Sequence, residues 1–233
     1  MKILRDGASH FPERPYFSDR EIEKMCADEL RKAGLYPSQP QPVRIERFIE
    51  KRFKVSPIYA DLPDGVLGFT RFDTNGVREV VIAASLEGPE GSPTERRLRA
   101  TLAHEGGHGL MHAHLFALGT KPTSLFGDGD DAPKFLCRDM LGETPSTRGY
   151  DGRWWELQAN KAIGGLLMPR SLVEEAVRPF TVSLGSIGKV TIPETNREAA
   201  VRDLANIFNI NPVVARIRLA DIFPPEESQQ LPL

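Results

Sequence analysis

Hydrophobic positions recur at helical spacing in two segments near the start of the chain, which is typical of amphipathic helices. The first segment follows residues 18–21 (SDRE), a capping-box sequence, and ends before Gly34. The second begins near Ile45 and keeps its apolar positions through Phe53. The pattern therefore predicts two N-terminal helices, preceded by an arm, residues 1–17, in which no period is visible.

A small sheet is predicted after these helices. Residues 55–60 are rich in β-branched and aromatic side chains, and Pro57 favours an edge position because proline cannot donate a ladder hydrogen bond. Residues 66–72 and 77–84 flank residues 73–76 (DTNG), which are typical of a hairpin turn. These segments together predict a mainly antiparallel sheet.

The longest helical pattern covers residues 94–118. Residues 92–95 (SPTE) combine an N-cap with proline at the first helical position, and Gly119 is a suitable C-terminal stop. Gly106 and Gly107 are unusual here, because each disfavours a helix interior by roughly 1 kcal/mol relative to alanine. We expect that another segment or a substrate comes close to this bare backbone, and a tight contact between the helix and a strand is the alternative explanation.

The second half of the chain is predicted to be largely helical after a long connection. Residues 120–153 are rich in Gly, Pro and Asp, and a short strand is expected within them at 134–140. A helix capped by Asp151 is predicted to pass through Trp154 and to end at Met168, which precedes a proline. Further helical segments are expected over residues 171–178, over residues 197–208 and after Asn211, which is an N-cap residue.

This order of elements predicts an α+β fold: N-terminal helices, a small sheet with a hairpin, two long helices and a C-terminal helical pair. We divide the chain into an arm (1–17), a core (18–180), a C-terminal helical segment packed on that core (181–223) and a disordered tail (224–233).

Composition narrows the functional classes. The 233 residues are 40% hydrophobic and 27% charged, with a net charge of −2, so no basic field attracts nucleic acid or an anionic membrane. Two cysteines, Cys26 and Cys137, imply no disulfide framework, and Cys26 falls on an apolar helix face. Without an apolar leader or membrane span in the pattern, we expect a cytoplasmic protein.

The candidate chemistry lies in the long helix, at residues 104–108 (HEGGH). Histidines four positions apart point from one helix face, which suits two ligands of a tetrahedral zinc ion. The glutamate after the first histidine is placed to act as a general base. We therefore predict His104 and His108 as metal ligands and Glu105 as the catalytic base.

A catalytic zinc ion requires a third protein ligand. Glu156 begins the next strongly predicted helix, and Asn160 lies one turn further on the same face, where it can hydrogen-bond a ligand histidine. His114 is the competing ligand, but on a continuous helix it lies about 9 Å beyond His108 along the axis. We favour Glu156. His112 extends the histidine face by one turn, and it either lines the cleft or packs inside.

The two motifs together resemble the ImmA/IrrE family of metallo-endopeptidases. The resemblance rests on residues 104–112 (HEGGHGLMH) and on residues 156–160 (ELQAN), which run into residues 166–169 (LLMP). It covers roughly residues 20–220. It implies a compact, thermolysin-like zinc core in which His104, His108 and Glu156 bind Zn²⁺ and Glu105 is the base. It also implies a selective protein substrate, typically a helix-turn-helix transcriptional repressor.

Some roles stay open at this stage. The oxyanion formed during peptide hydrolysis requires a hydrogen-bond donor, for which Tyr150, His112 and His114 are candidates. A thiolate from Cys137 could occupy the fourth zinc position and keep the enzyme latent, although a buried structural cysteine explains the same residue.

Two rival functions remain. Residues 197–221 have the outline of a helix-turn-helix, in which Arg202, Arg216 and Arg218 could contact phosphates, so the chain could be a DNA-binding regulator. The other rival is a sensor or toxin partner with a non-catalytic zinc site. The acidic net charge and the intact Glu105 favour the peptidase hypothesis.

Overall fold

A computed structural model describes residues 2–5, 13–113, 134–138, 154–184 and 189–225. Helices and strands are mixed within it, which confirms the α+β class. The helices are α1 (Asp19–Lys32), α2 (Ile45–Phe53), α3 (Pro93–Met111), α4 (Trp154–Leu167), α5 (Arg170–Ala176), α6 (Glu194–Ile207) and α7 (Pro212–Ile222). The strands are β1 (Lys2–Arg5), β2 (Glu13–Tyr16), β3 (Ile58–Ala60), β4 (Val66–Asp73), β5 (Gly76–Ala83), β6 (Lys134–Arg138), β7 (Val182–Leu184) and β8 (Lys189–Thr191). Over these ranges, no helix combines the length and the apolar character that crossing a membrane requires.

The main sheet has the strand order β3-β5-β4-β6. β4 pairs in antiparallel fashion with both β5 and β6, whereas β3 runs parallel to β5 at the edge. The hairpin and the edge position of the strand after Pro57 agree with the sequence pattern. The strand expected within residues 134–140 is β6, in which Phe135 lies opposite Thr70 of β4.

Two short hairpins fall where the hydrophobic pattern predicted no strands. β1 pairs with β2 inside residues 1–17, and β7 pairs with β8 between α5 and α6, where no element was predicted. Each strand has only three or four residues. That length holds too few positions to display an alternating period.

Hydrogen bonds from capping side chains explain where the helices α1 and α3 begin. The Ser18 hydroxyl accepts a hydrogen bond from Glu21 N–H, and the Glu21 carboxylate accepts one from Ser18 N–H, which completes the capping box of α1. The Ser92 hydroxyl accepts from Glu95 N–H at the start of α3. The far end of α3 differs from the prediction: the helix ends at Met111, not near residue 118.

α3 packs closely against α4, and glycine makes this approach possible. A Cβ added at Gly107 would lie 2.8 Å from Ala162 Cβ and 3.2 Å from the Ala159 carbonyl oxygen. A Cβ added at Gly109 would lie 2.6 Å from the Phe53 ring, whereas one at Gly106 would meet nothing closer than 3.5 Å. The expected close approach therefore occurs at Gly107, where the backbones of the two helices nearly touch.

The C-terminal pair α6 and α7 is tied to the rest of the fold through Arg218. This side chain is buried, donates two hydrogen bonds to the Met168 carbonyl oxygen at 2.8 and 3.1 Å, and pairs with Glu23 of α1 at 2.6 Å. Arg216, which is exposed, forms an ion pair with Glu198 of α6 at 2.9 Å. Two of the three arginines considered for phosphate contacts thus bind groups within the protein.

Candidate metal centre

Two adjacent helices bring three ligand atoms together. His104 and His108 lie one turn apart on α3, and their Nε2 atoms are 2.9 Å apart. Glu156, in the first turn of α4, places its Oε2 atom 3.1 Å from His104 Nε2 and 3.7 Å from His108 Nε2. The close packing at Gly107 brings α4 near enough for this convergence.

These distances match what a metal ion requires. Ligand atoms at about 2.0–2.1 Å from a shared tetrahedral zinc ion lie about 3.3 Å from one another. The three separations, 2.9, 3.1 and 3.7 Å, fall on both sides of that value. The His104, His108 and Glu156 group can therefore hold a metal ion.

Hydrogen bonding behind His104 directs its lone pair into the site. The Asn160 Oδ1 atom, which can only accept, lies 3.0 Å from His104 Nδ1, so Nδ1 carries the hydrogen. The Nε2 atom of neutral His104 is then an acceptor that faces the Glu156 carboxylate, which is also an acceptor. Such a convergence of lone pairs is stable only around a cation, either a metal ion or a shared proton.

Electrostatics in the metal-free site follow from this convergence. Burial opposes the charged form of Glu156, but His108 and His104 outweigh burial and hold the pKa of this carboxylate far below its usual range. Burial lowers the pKa of His108. In His104 the effect of burial is overcome by the hydrogen bond and the charge of Glu156, so the pKa of His104 is raised. The Glu156 carboxylate thus favours the protonated form of His104 when no metal ion is bound.

Glu105 is fully buried beside the ligands. The Thr70 hydroxyl on β4 donates a 2.6 Å hydrogen bond to Glu105 Oε2. Within the described part of the chain, Oε1 is buried and has no hydrogen-bond partner. Burial raises the pKa of Glu105 to about 7. One oxygen atom of this carboxylate is therefore held by Thr70, while the other is buried without a hydrogen bond to the described residues.

Thr70 is a site residue that the sequence reasoning missed. Its position in β4 is flanked by Phe69 and, two residues on, by Phe72, both buried. A hydroxyl residue between buried aromatic residues of a strand was the feature that could have pointed to Thr70. The sequence pattern alone does not tell which helix the strand will face.

His112 lies away from the metal-facing atoms of the triad. It is fully buried, and its Nδ1 atom lies 2.9 Å from His108 Nδ1, on the side of that ring opposite the metal site. Its Nε2 atom lies 3.0 Å from Gln158 Oε1. His112 therefore packs behind the site instead of lining a cleft.

Other candidates can be placed only in part. Cys137 lies on β6, opposite Gly68 of β4, and the description of this strand extends to its backbone alone. Tyr150 and His114 fall outside the described residues. Cys26 is buried between helices, and burial raises the pKa of its thiol, as expected for a core residue.

No protein-family model matches the chain, and no curated protein matches it either.

Proposed function

We propose that the chain is a zinc-dependent endopeptidase. The observation that carries this proposal is the convergence of two imidazole nitrogens and one carboxylate oxygen beside a second, buried carboxylate. His104, His108 and Glu156 would hold the ion. Two histidines and one glutamate are the protein ligands of a class of catalytic zinc sites that leave a fourth position open.

Glu105 would transfer protons in this site. When bound, zinc would polarise the scissile carbonyl group and make water a stronger nucleophile. Glu105 Oε1 would accept the proton of the attacking water and deliver it to the leaving amine. Burial holds the pKa of Glu105 above its usual range, which suits this carboxyl group to both steps near neutral pH. Thr70 would hold the Glu105 carboxylate in one orientation while the proton moves.

A single protein substrate is part of the proposal. It rests on the resemblance of the two helix motifs to the ImmA/IrrE family, and by this resemblance the target is a helix-turn-helix repressor.

The decisive variants are Glu105→Gln and Glu156→Ala. Glu105→Gln keeps the shape of the side chain but cannot accept a proton, so zinc content should stay near that of the wild type while cleavage is lost. Glu156→Ala removes a ligand, so both zinc content and cleavage should be lost. Zinc is measured on the purified proteins, and cleavage is measured by mass spectrometry of new N-termini after incubation with a library of whole, folded proteins that includes helix-turn-helix repressors.

Cleavage by the wild type must also stop with a chelator and return with added zinc. Two results would contradict the peptidase proposal while zinc binding still depends on Glu156. One is that no new N-termini form, and the other is that Glu105→Gln does not affect cleavage. Either result would favour a sensor with a non-catalytic zinc site.

A further inference from the structure

A continuous chain of hydrogen bonds leads from the N-terminal hairpin to His108. The Gln158 side-chain amide donates to the Pro15 carbonyl oxygen of β2 at 2.9 Å. Gln158 Oε1 lies 3.0 Å from His112 Nε2, and His112 Nδ1 lies 2.9 Å from His108 Nδ1. The Gln158 and His112 side chains are both buried, with 6% and 0% of their surface exposed.

The Pro15 carbonyl oxygen fixes which atom is the donor in every hydrogen bond of this series. A carbonyl oxygen can only accept, so the NH₂ group of Gln158 must face Pro15 and its Oε1 must face His112. Oε1 also only accepts, so His112 Nε2 must carry a hydrogen. The Nδ1 atom of neutral His112 is then an acceptor, and His108 Nδ1 must donate to it.

This direction has a consequence for the ligand atom. With its hydrogen on Nδ1, neutral His108 presents a lone pair on Nε2, the atom that faces His104 Nε2 and Glu156. Asn160 imposes the same tautomer on His104. The two ligand histidines are thus oriented by different groups, an amide from α4 in one case and a second histidine in the other.

We propose that His112 is a positioning residue for the metal centre. Held by Gln158 and, through it, by the backbone of β2, His112 fixes the tautomer and the ring orientation of His108. This inference rests on the proposed function only in that the metal bound at His108 is taken to be zinc. It adds a role for the N-terminal hairpin, whose backbone carbonyl sets the polarity of the chain of hydrogen bonds.

The first test reads the tautomers directly. Full-length protein with ¹⁵N-labelled histidine is examined by long-range ¹H–¹⁵N correlation at pH 8, both without metal and with one equivalent of zinc. We expect hydrogen on Nε2 of His112 in both forms and hydrogen on Nδ1 of His108 in the zinc-loaded form. Hydrogen on Nδ1 of His112 in either form would overturn the proposal.

The second test compares two substitutions at His112. The amide oxygen of Asn in His112→Asn can replace Nδ1 as an acceptor, whereas His112→Leu has no acceptor. Loss of a group that orients a metal ligand lowers metal affinity by about 10–100-fold. We expect that loss for His112→Leu and at most a few-fold loss for His112→Asn, measured by competition with a chromophoric zinc chelator. Equal affinities in the two folded variants would overturn the proposal.

The two tests separate this inference from the peptidase proposal. If the wild type binds no zinc, the proposed function fails, while the metal-free spectrum still decides the tautomer of His112. If zinc binds and nothing is cleaved, the affinity comparison stands unchanged. If His112→Leu does not fold, the wild-type spectra decide alone.

Discussion

The Thr70 hydroxyl donates a hydrogen bond of 2.6 Å to Glu105 Oε2, and both side chains are fully buried. The bond joins the central part of the sheet to α3, the helix that carries two of the three proposed metal ligands. Glu105 Oε1 has no hydrogen-bond partner within the described residues, and in the proposed mechanism this atom would exchange a proton with the reactant. β4 is therefore part of the proposed active site although it contributes no ligand.

Replacing Thr70 by valine should lower the activity of the proposed peptidase. The shape of the side chain is kept, but a hydrogen bond to a charged group is lost, which is typically worth about 1.5–3 kcal/mol. We expect kcat/KM to fall by about tenfold or more. Because the Thr70 hydrogen bond lowers the pKa of Glu105, its loss should also move the acidic limb of the pH–rate profile to higher pH.

The matched control is Thr70→Ser, which keeps the hydroxyl group. Serine should retain most of the activity and the wild-type pH profile. A valine variant as active as the serine variant would remove Thr70 from the mechanism.

The contribution of Glu105 to the stability of the metal-free protein should fall as the pH rises from about 4.5 to 7. Burial raises the pKa of Glu105 from 4.5 to about 7, so in this window folded Glu105 keeps a proton that the unfolded chain has released. The folded state then binds more protons, and the free energy of unfolding falls with pH. The loss should be on the order of 3 kcal/mol, and it should be complete above pH 7.

Glu105→Gln removes this titrating carboxyl group, and of the groups that remain His104 is affected as well, because the charge of Glu105 helps to raise the pKa of His104. Urea unfolding in the presence of a chelator, at several pH values, gives the difference between the two proteins. The glutamine variant should gain stability relative to the wild type as the pH rises through the window. A difference that does not change between pH 4.5 and 7 would show that Glu105 is not buried as described.

The sequence was sufficient for the local part of the site. Helical spacing alone places His104 and His108 on one face, and a second amphipathic helix carries Glu156 and Asn160 one turn apart. The fold class and the main hairpin also follow from hydrophobic period and turn residues. Each of these features depends on residues that are close in the chain.

Contacts between residues far apart in the chain could not be predicted from hydrophobic periods and turn residues. Thr70 meets Glu105 across 35 positions, and Gln158 meets Pro15 across 143. Such pairs depend on how the sheet, the hairpin and the helices pack, which no local period encodes. The end of α3 was also misjudged, because the leucine pattern continues past Met111, where the helix stops.

The neighbouring glycines of the motif should respond to alanine in opposite directions. At Gly106 the new Cβ finds ordinary contact distances, the nearest being 3.5 Å from Leu166 Cδ1, so the gain in helix propensity should raise stability by up to about 1 kcal/mol. At Gly107 the Cβ would lie 2.8 Å from Ala162 Cβ, so α4 must move away and stability should fall.

Thermal unfolding of the two metal-free variants tests the sign of each change. Zinc titration tests how each substitution affects the metal site. Gly107→Ala should weaken zinc binding, because Glu156 moves with α4. Gly106→Ala should leave zinc binding unchanged. Equal zinc affinities would mean that the helices can separate without disturbing the ligands.

Arg218 should be required for stability and not for contact with nucleic acid. Its guanidinium group is buried between the Met168 carbonyl oxygen and Glu23, so Arg218→Met would leave both acceptors without their cation. Removing one partner of a buried ion pair typically destabilises a protein by about 3–5 kcal/mol. Arg216→Met is the control, because the exposed pair with Glu198 is screened by water and contributes little.

Urea unfolding should therefore show a large loss for Arg218→Met and almost none for Arg216→Met. Binding to bulk duplex DNA, measured at low and moderate salt, separates the two functional hypotheses for α6 and α7. The peptidase proposal predicts no salt-dependent binding by the wild type. A helix-turn-helix function predicts binding that weakens with salt and that is reduced in folded Arg216→Met, because each lost phosphate contact lowers the slope with salt.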